Sequence, residues 1–170
     1  MKIKLRAGLL LLGLVLVALV SACSSSGTLA LKTPKAGSLP QGKVVALKIQ
    51  ASADKDSQDA ANRMRNDLFG RLVAEGLFKQ VVQADQPADY RLTMNLSGVE
   101  EVSQAARIFF GVFAGSNELK ADVTLADAKS GATVEAFQVS GKSASHPLSS
   151  ENGIEDAVRE AATETVQALR

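Results

Sequence analysis

Apolar and polar positions alternate most cleanly over residues 90–97. Tyr90, Leu92, Met94 and Leu96 take one parity, and Arg91, Thr93, Asn95 and Ser97 take the other. A period of two predicts a strand with one face buried. Leu119, Ala121, Val123 and Leu125 repeat the pattern against Lys120, Asp122 and Thr124, and a further strand is expected from Thr133 to Gly141. The polar stretch Asp127–Gly131 between these two predicts an antiparallel hairpin. A nearly continuous apolar run, Val44–Leu47 then Ile49, predicts a strand covered on both faces. A short strand is expected over Leu77–Val82, before the break at Asp85–Asp89.

The period lengthens twice. Ala61, Met64, Leu68 and Leu72 recur at three- and four-residue spacing, which predicts an amphipathic helix capped by Asp56 or Ser57 and ended by Gly76. Ile154, Val158, Ala161, Ala162, Thr165 and Leu169 form one face of a second helix, with Asn152 and Glu155 spaced as a capping box. Its alanines predict close packing on a sheet. The expected fold is α/β in the two-layer α+β sense. A mixed sheet of about five strands carries two helices on one face, in the order β-α-β-β-β-β-α.

The beginning of the chain follows neither period. Lys2, Lys4 and Arg6 precede an uncharged run, Ala7–Val20, of about 14 residues. That is the layout of a secretory signal. As a helix the run spans roughly 21 Å at 1.5 Å per residue, short of a bilayer core of about 30 Å. Val20-Ser21-Ala22-Cys23 follows and resembles the lipobox of bacterial lipoproteins, with Val in place of the commonest Leu. The resemblance implies a diacylglyceryl thioether on Cys23, cleavage between Ala22 and Cys23, and acylation of the new amino group. Ser24 is not the aspartate that usually retains such proteins in the inner membrane, so the periplasmic face of the outer membrane is expected.

Three units follow: a signal peptide over 1–22, a lipidated N-terminus and flexible tether over 23–42, and one globular domain over 43–170. The tether SSSGTLALKTPKAGSLPQG holds Pro34, Pro40 and several Gly and Ser. As a coil it would reach roughly 24 Å. Leu29 and Leu31 could instead pack on the domain as an extra edge.

Removing residues 1–22 leaves 16 basic against 18 acidic side chains, a net charge of −2. That balance offers no basic surface for nucleic acid. The single cysteine excludes an internal disulfide, and the single histidine, His146, lies far from it in sequence, so no Cys-His nucleophile is indicated. Asp54, Asp56 and Asp59 lack the glycine and glutamate of a calcium loop and suit helix capping instead. Glu100 and Glu101, adjacent in a strand, point to opposite faces and cannot pair as acid and base. No enzyme, metal or dissociable cofactor is expected; the only non-protein group is the lipid on Cys23.

Phe109, Phe110 and Phe113 lie between Gly111 and Gly115 and the flanking strands. They are either core rings of longer strands or a docking surface for a partner or for lipid headgroups. Beyond the lipobox, the segments Gly76-Leu77-Phe78-x-x-Val81, Ala88-Asp89-Tyr90-x-Leu92, Arg107–Gly115 and Asp127-x-x-x-Gly131, with the Ala-rich last helix, resemble a family of bacterial envelope lipoproteins built on an uncharacterised domain. The element order is similar to the modules of curli-secretion lipoproteins and TolB amino-terminal domains. The resemblance implies a non-enzymatic component of an envelope or secretion assembly. Its partners would be the membrane and either an envelope protein or a second copy. The alternative is a periplasmic module binding a peptide or small ligand.

Overall fold

The computed structural model describes residues 25–33, 42–103, 105–106, 109, 115–144 and 153–170. The elements are β1 (Ser26–Leu31), β2 (Val44–Gln50), α1 (Lys55–Ala74), β3 (Gln80–Gln83), β4 (Tyr90–Glu100), β5 (Glu118–Asp127), β6 (Thr133–Lys142) and α2 (Gly153–Ala168). The six strands form one sheet in the order β1-β6-β5-β4-β2-β3. β2 is parallel to both β3 and β4, whereas β4-β5, β5-β6 and β6-β1 are antiparallel.

Both helices cover one face of this sheet, as expected, and one core joins them. Along α1 the buried apolar side chains are Ala60, Ala61, Met64, Leu68 and Leu72, the stripe set by the sequence period. On α2 the buried side chains are Ile154, Ala157, Val158, Ala161, Ala162, Thr165, Val166 and Ala168, with Leu169 just past its end, and they share one core with Phe137, Val139, Leu119 and Val123 of the sheet. The opposite face carries Arg91, Thr93, Asn95, Lys120, Asp122, Thr124, Gln138 and Ser140, none of them fully buried. Burial of each large aliphatic side chain contributes about 1.5–3 kcal/mol, so the helix-side face holds the domain together.

The sheet has six strands rather than about five. Residues 26–31 form the extra edge, pairing antiparallel with β6 from Ser26↔Lys142 to Leu31↔Phe137. The strand expected over Leu77–Val82 begins later, at Gln80, because Leu77 and Phe78 pack against the core before the chain joins β2. Asp54, not Asp56 or Ser57, caps α1: its side chain accepts from the Ser57 amide at 2.8 Å. Gly76 does end this helix, with φ of +62° just past the cap residue Glu75. Asn152 lies outside the described residues.

Among the described glycines, the tightest backbone approach is at Gly141, between β6 and α2. A Cβ on Gly141 would lie 2.7 Å from the Ala161 nitrogen and 2.9 Å from the Ala157 carbonyl carbon, with the Ala157 oxygen nearer still. Glycine there, with alanines on the facing turn of the helix, sets the thickness of the two layers.

Candidate functional site

Two ends and two edges of the sheet are chemically distinct. Ser26, Lys142, Glu118 and Glu100 lie in one row across β1, β6, β5 and β4. The chain enters β1 at this end, three residues after Cys23. The connection between β4 and β5 leaves from the same end and carries the phenylalanine segment. Ala22, Cys23, Phe110 and Phe113 lie outside the described residues, as does His146. Phe109 is 82% exposed, so its ring is not a core ring.

The connection is pinned by a residue that no sequence pattern singles out. Asn117 is fully buried; its Oδ1 accepts from the Val102 backbone amide at 2.7 Å, and its backbone N–H donates to the Ser143 hydroxyl at 3.0 Å. The Ser143 amide returns a bond to the Asn117 carbonyl at 3.0 Å. One asparagine thus ties the ends of β4, β5 and β6, and its Nδ2 makes no hydrogen bond among the described residues. Next to it, Glu118 receives Lys120 and Lys142, each at 3.1 Å. Partial burial pushes its carboxyl up, but the two lysines outweigh that and hold it below the ordinary value.

At one edge of the sheet, β1 has no strand beyond it among the described residues, and it carries no charge or proline to guard an open edge. Leu29 and Leu31 are exposed on the helix side, Leu31 to 55%. At the other edge, β3 pairs with β2 only up to Gln83↔Leu47. Among the described residues, Lys48, Ile49 and Gln50 of β2 therefore have no strand on that side. A cleft of about 460 Å³ opens there, between Leu47 and Ile49 of β2, Phe69 and Arg65 of α1, and Val82–Asp85. This is within the size range of ligand clefts. Phe69 is 40% exposed at its rim. Among the described residues neither Arg65 nor Lys48 makes an ion pair. The cleft draws on three elements, which is why no local motif announced it.

A second cleft, of about 480 Å³, lies between the helices. Its charges are already matched as Arg63–Glu155, Arg71–Asp67 and Arg159–Asp156. Asp54, expected as a cap rather than a calcium ligand, is held at a pKa of about 2 by the Ser52 hydroxyl and the Ser57 amide. Among the described residues no three His, Cys, Asp or Glu side chains converge as metal ligands, and no helix is long and apolar enough to cross a membrane.

Comparison with curated proteins finds no match. Among solved structures, a PelC dodecamer from Paraburkholderia phytofirmans superposes in two crystal forms. One gives a TM-score of 0.59 at 18% identity, covering 84% of this chain and 97% of that one. The other gives 0.56 at 20% identity, covering 84% and 96%. A protein of family DUF330 from Xanthomonas campestris gives 0.56 at 12% identity, covering 83% and 91%. At these identities the likeness is one of fold. Sequence decides the family: the model of a domain of unknown function, DUF4410, matches residues 23–147, and the chain belongs to that family.

Proposed function

We propose that this chain is a lipid-anchored, non-enzymatic component of a bacterial envelope assembly, held by Cys23 on the periplasmic face of the outer membrane. The observation that carries the reading is the order of basic residues, apolar run and Val20-Ser21-Ala22-Cys23, with a sheet strand starting at Ser26. Three residues span at most about 10 Å. An anchor at Cys23 would therefore set the Ser26 end of the sheet against the headgroups, not a long tether away from them. Exposed Phe109 leaves from that same end and suits contact with the interface. One buried chain gives reversible binding and two give stable anchoring, so the full lipid modification makes attachment effectively permanent.

The assembly half of the reading is supported by the sheet edges, where β1 and the last residues of β2 have no further strand beside them among the described residues. It is supported also by the PelC fold neighbour, which is a dodecamer. Labelled palmitate fed to cells should enter the wild-type chain and be absent from Cys23→Ser. Equal labelling of the two would refute the anchor. The cleft beside β3 favours the second reading, a peptide-binding module, only if it takes a free peptide.

A further inference from the structure

We infer that β1 of one copy docks into the cleft beside β3 of a second copy, joining copies of this chain head to tail through opposite edges of the sheet. The two surfaces differ, lie on opposite flanks, and complement each other in three respects. The first is direction: β6 is parallel to β4 and β2 through two antiparallel steps, so β1 runs opposite to β2 and β3. A copy placed alongside without being inverted brings β1 antiparallel to the free edge of β2, so backbone groups left open on both can pair.

The second is the apolar match. Leu29 and Leu31 point to the helix side at one edge, and the cleft opens to the helix side at the other, walled by Phe69, Leu47 and Ile49. The third is charge. Ser25, just before β1, donates to Glu160 at 2.8 Å, and Glu164 stands over Gly27; Glu160 already lies 4.0 Å from Arg159, whereas Glu164 makes no ion pair among the described residues. On the helix side the cleft presents Arg65, which makes no ion pair among the described residues, with one acid, Asp85; Lys48 lines it from β2 but shares the face of Thr93. The charges between the helices offer no comparable partner, because they are already paired.

Height along the sheet agrees as well, and this point rests on the anchored reading above. Copies fixed in one membrane are related by rotation about its normal, with no rise. Neglecting the twist between neighbouring strands, one row runs Leu31–Phe137–Val123–Met94–Ile49. Leu31 of one copy thus comes level with Ile49 of the next, on the stretch of β2 that β3 leaves uncovered. A head-to-tail contact of this kind closes as a ring or continues as an array, and it cannot stop at two copies.

Mixing variants tests it. The full chain is extracted in a mild detergent, and its protein mass is measured by light scattering with the detergent subtracted. Wild type should contain three or more copies. Leu31→Lys, with its cleft intact, and Phe69→Lys, with β1 intact, should each be monomeric with unchanged melting temperatures. Mixed in equal amounts they should form dimers and nothing larger, since one good joint remains. Should Leu31→Lys fail to fold, Leu31→Gln replaces it. A mixture that stays monomeric would overturn the proposal, as would variants that assemble like wild type; the latter would leave the assembly reading standing. A monomeric wild type that binds a free extended peptide in the cleft would overturn it in favour of the peptide module. Palmitate labelling is independent of all these outcomes, so failure of the anchor and failure of the joint are told apart.

Discussion

Gly141→Ala should be among the most damaging single-methyl changes available to this domain. The new Cβ would sit 2.7 Å from the Ala161 nitrogen, 2.9 Å from the Ala157 carbonyl carbon and nearer still to the Ala157 oxygen. All three are backbone atoms of α2, so no side-chain rotation relieves the clash, and the helix must lift from β6. Overpacking a core typically costs 1–3 kcal/mol, and a backbone neighbour puts this site at about 3 kcal/mol or above. Against a total stability of roughly 5–15 kcal/mol that is a large share. At roughly 2–8 °C per kcal/mol for domains of this size range, melting should fall by about 6 °C or more. The internal controls are two other strand glycines. At Gly27, paired with Gly141 in the sheet, a Cβ would meet the Glu164 Cγ at 2.5 Å, a flexible side chain that can swing away. At Gly98 the nearest atom is the Lys120 Cβ at 3.8 Å, an ordinary contact. Thermal melts should therefore rank Gly98→Ala at or above wild type, Gly27→Ala slightly below, and Gly141→Ala far below. Gly141→Ala melting within 2 °C of wild type, or below-rank loss at Gly98, would refute the packing argument.

Phe109→Asp should leave melting nearly unchanged, because an exposed position is normally worth within about 0.5 kcal/mol; a loss of about 3 kcal/mol would mean a core ring after all. In acid, the folded pKa of Asp54 near 2 lies below its ordinary 3.8, so its contribution is complete above about pH 4 and disappears as the pH falls towards 2. Asp89 and Asp127 are also depressed, by the Val44 amide and by the Ser130 amide and hydroxyl respectively, and add the same sign. Asp54→Asn should therefore flatten the acid limb of a pH-stability profile, and an unchanged limb would contradict the capping role.

Local patterns carried much of the fold. Met64, Leu68 and Leu72, and Leu92 with Met94, announced their buried faces because periodicity is a property of neighbouring residues. β1 was harder to place: its partner β6 lies more than a hundred residues away, and only Leu29 and Leu31 mark its register. The need for glycine at 141 depends on how closely α2 settles on the sheet, which no window of sequence contains. Asn117 reads as one polar residue before a strand, yet it is the tie between three strand ends. Cys23 stood out because the residues that resemble a lipobox adjoin it, whereas the β3 cleft depends on β3 ending three residues before its neighbour β2.

The central claim is that the Ser26 end of the sheet faces a membrane, and depth-dependent fluorescence quenching tests it most directly. One probe replaces Glu101, at the expected membrane end, and another replaces Ser130, in the turn at the far end of β5. At about 3.4 Å per residue, the ten residues of β5 separate these ends by roughly 30 Å. In vesicles holding the full-length lipidated chain, a quencher on the lipid headgroups should strongly dim the probe at 101 and leave that at 130 bright. Stronger quenching at 130, or equal quenching at both, would contradict the account.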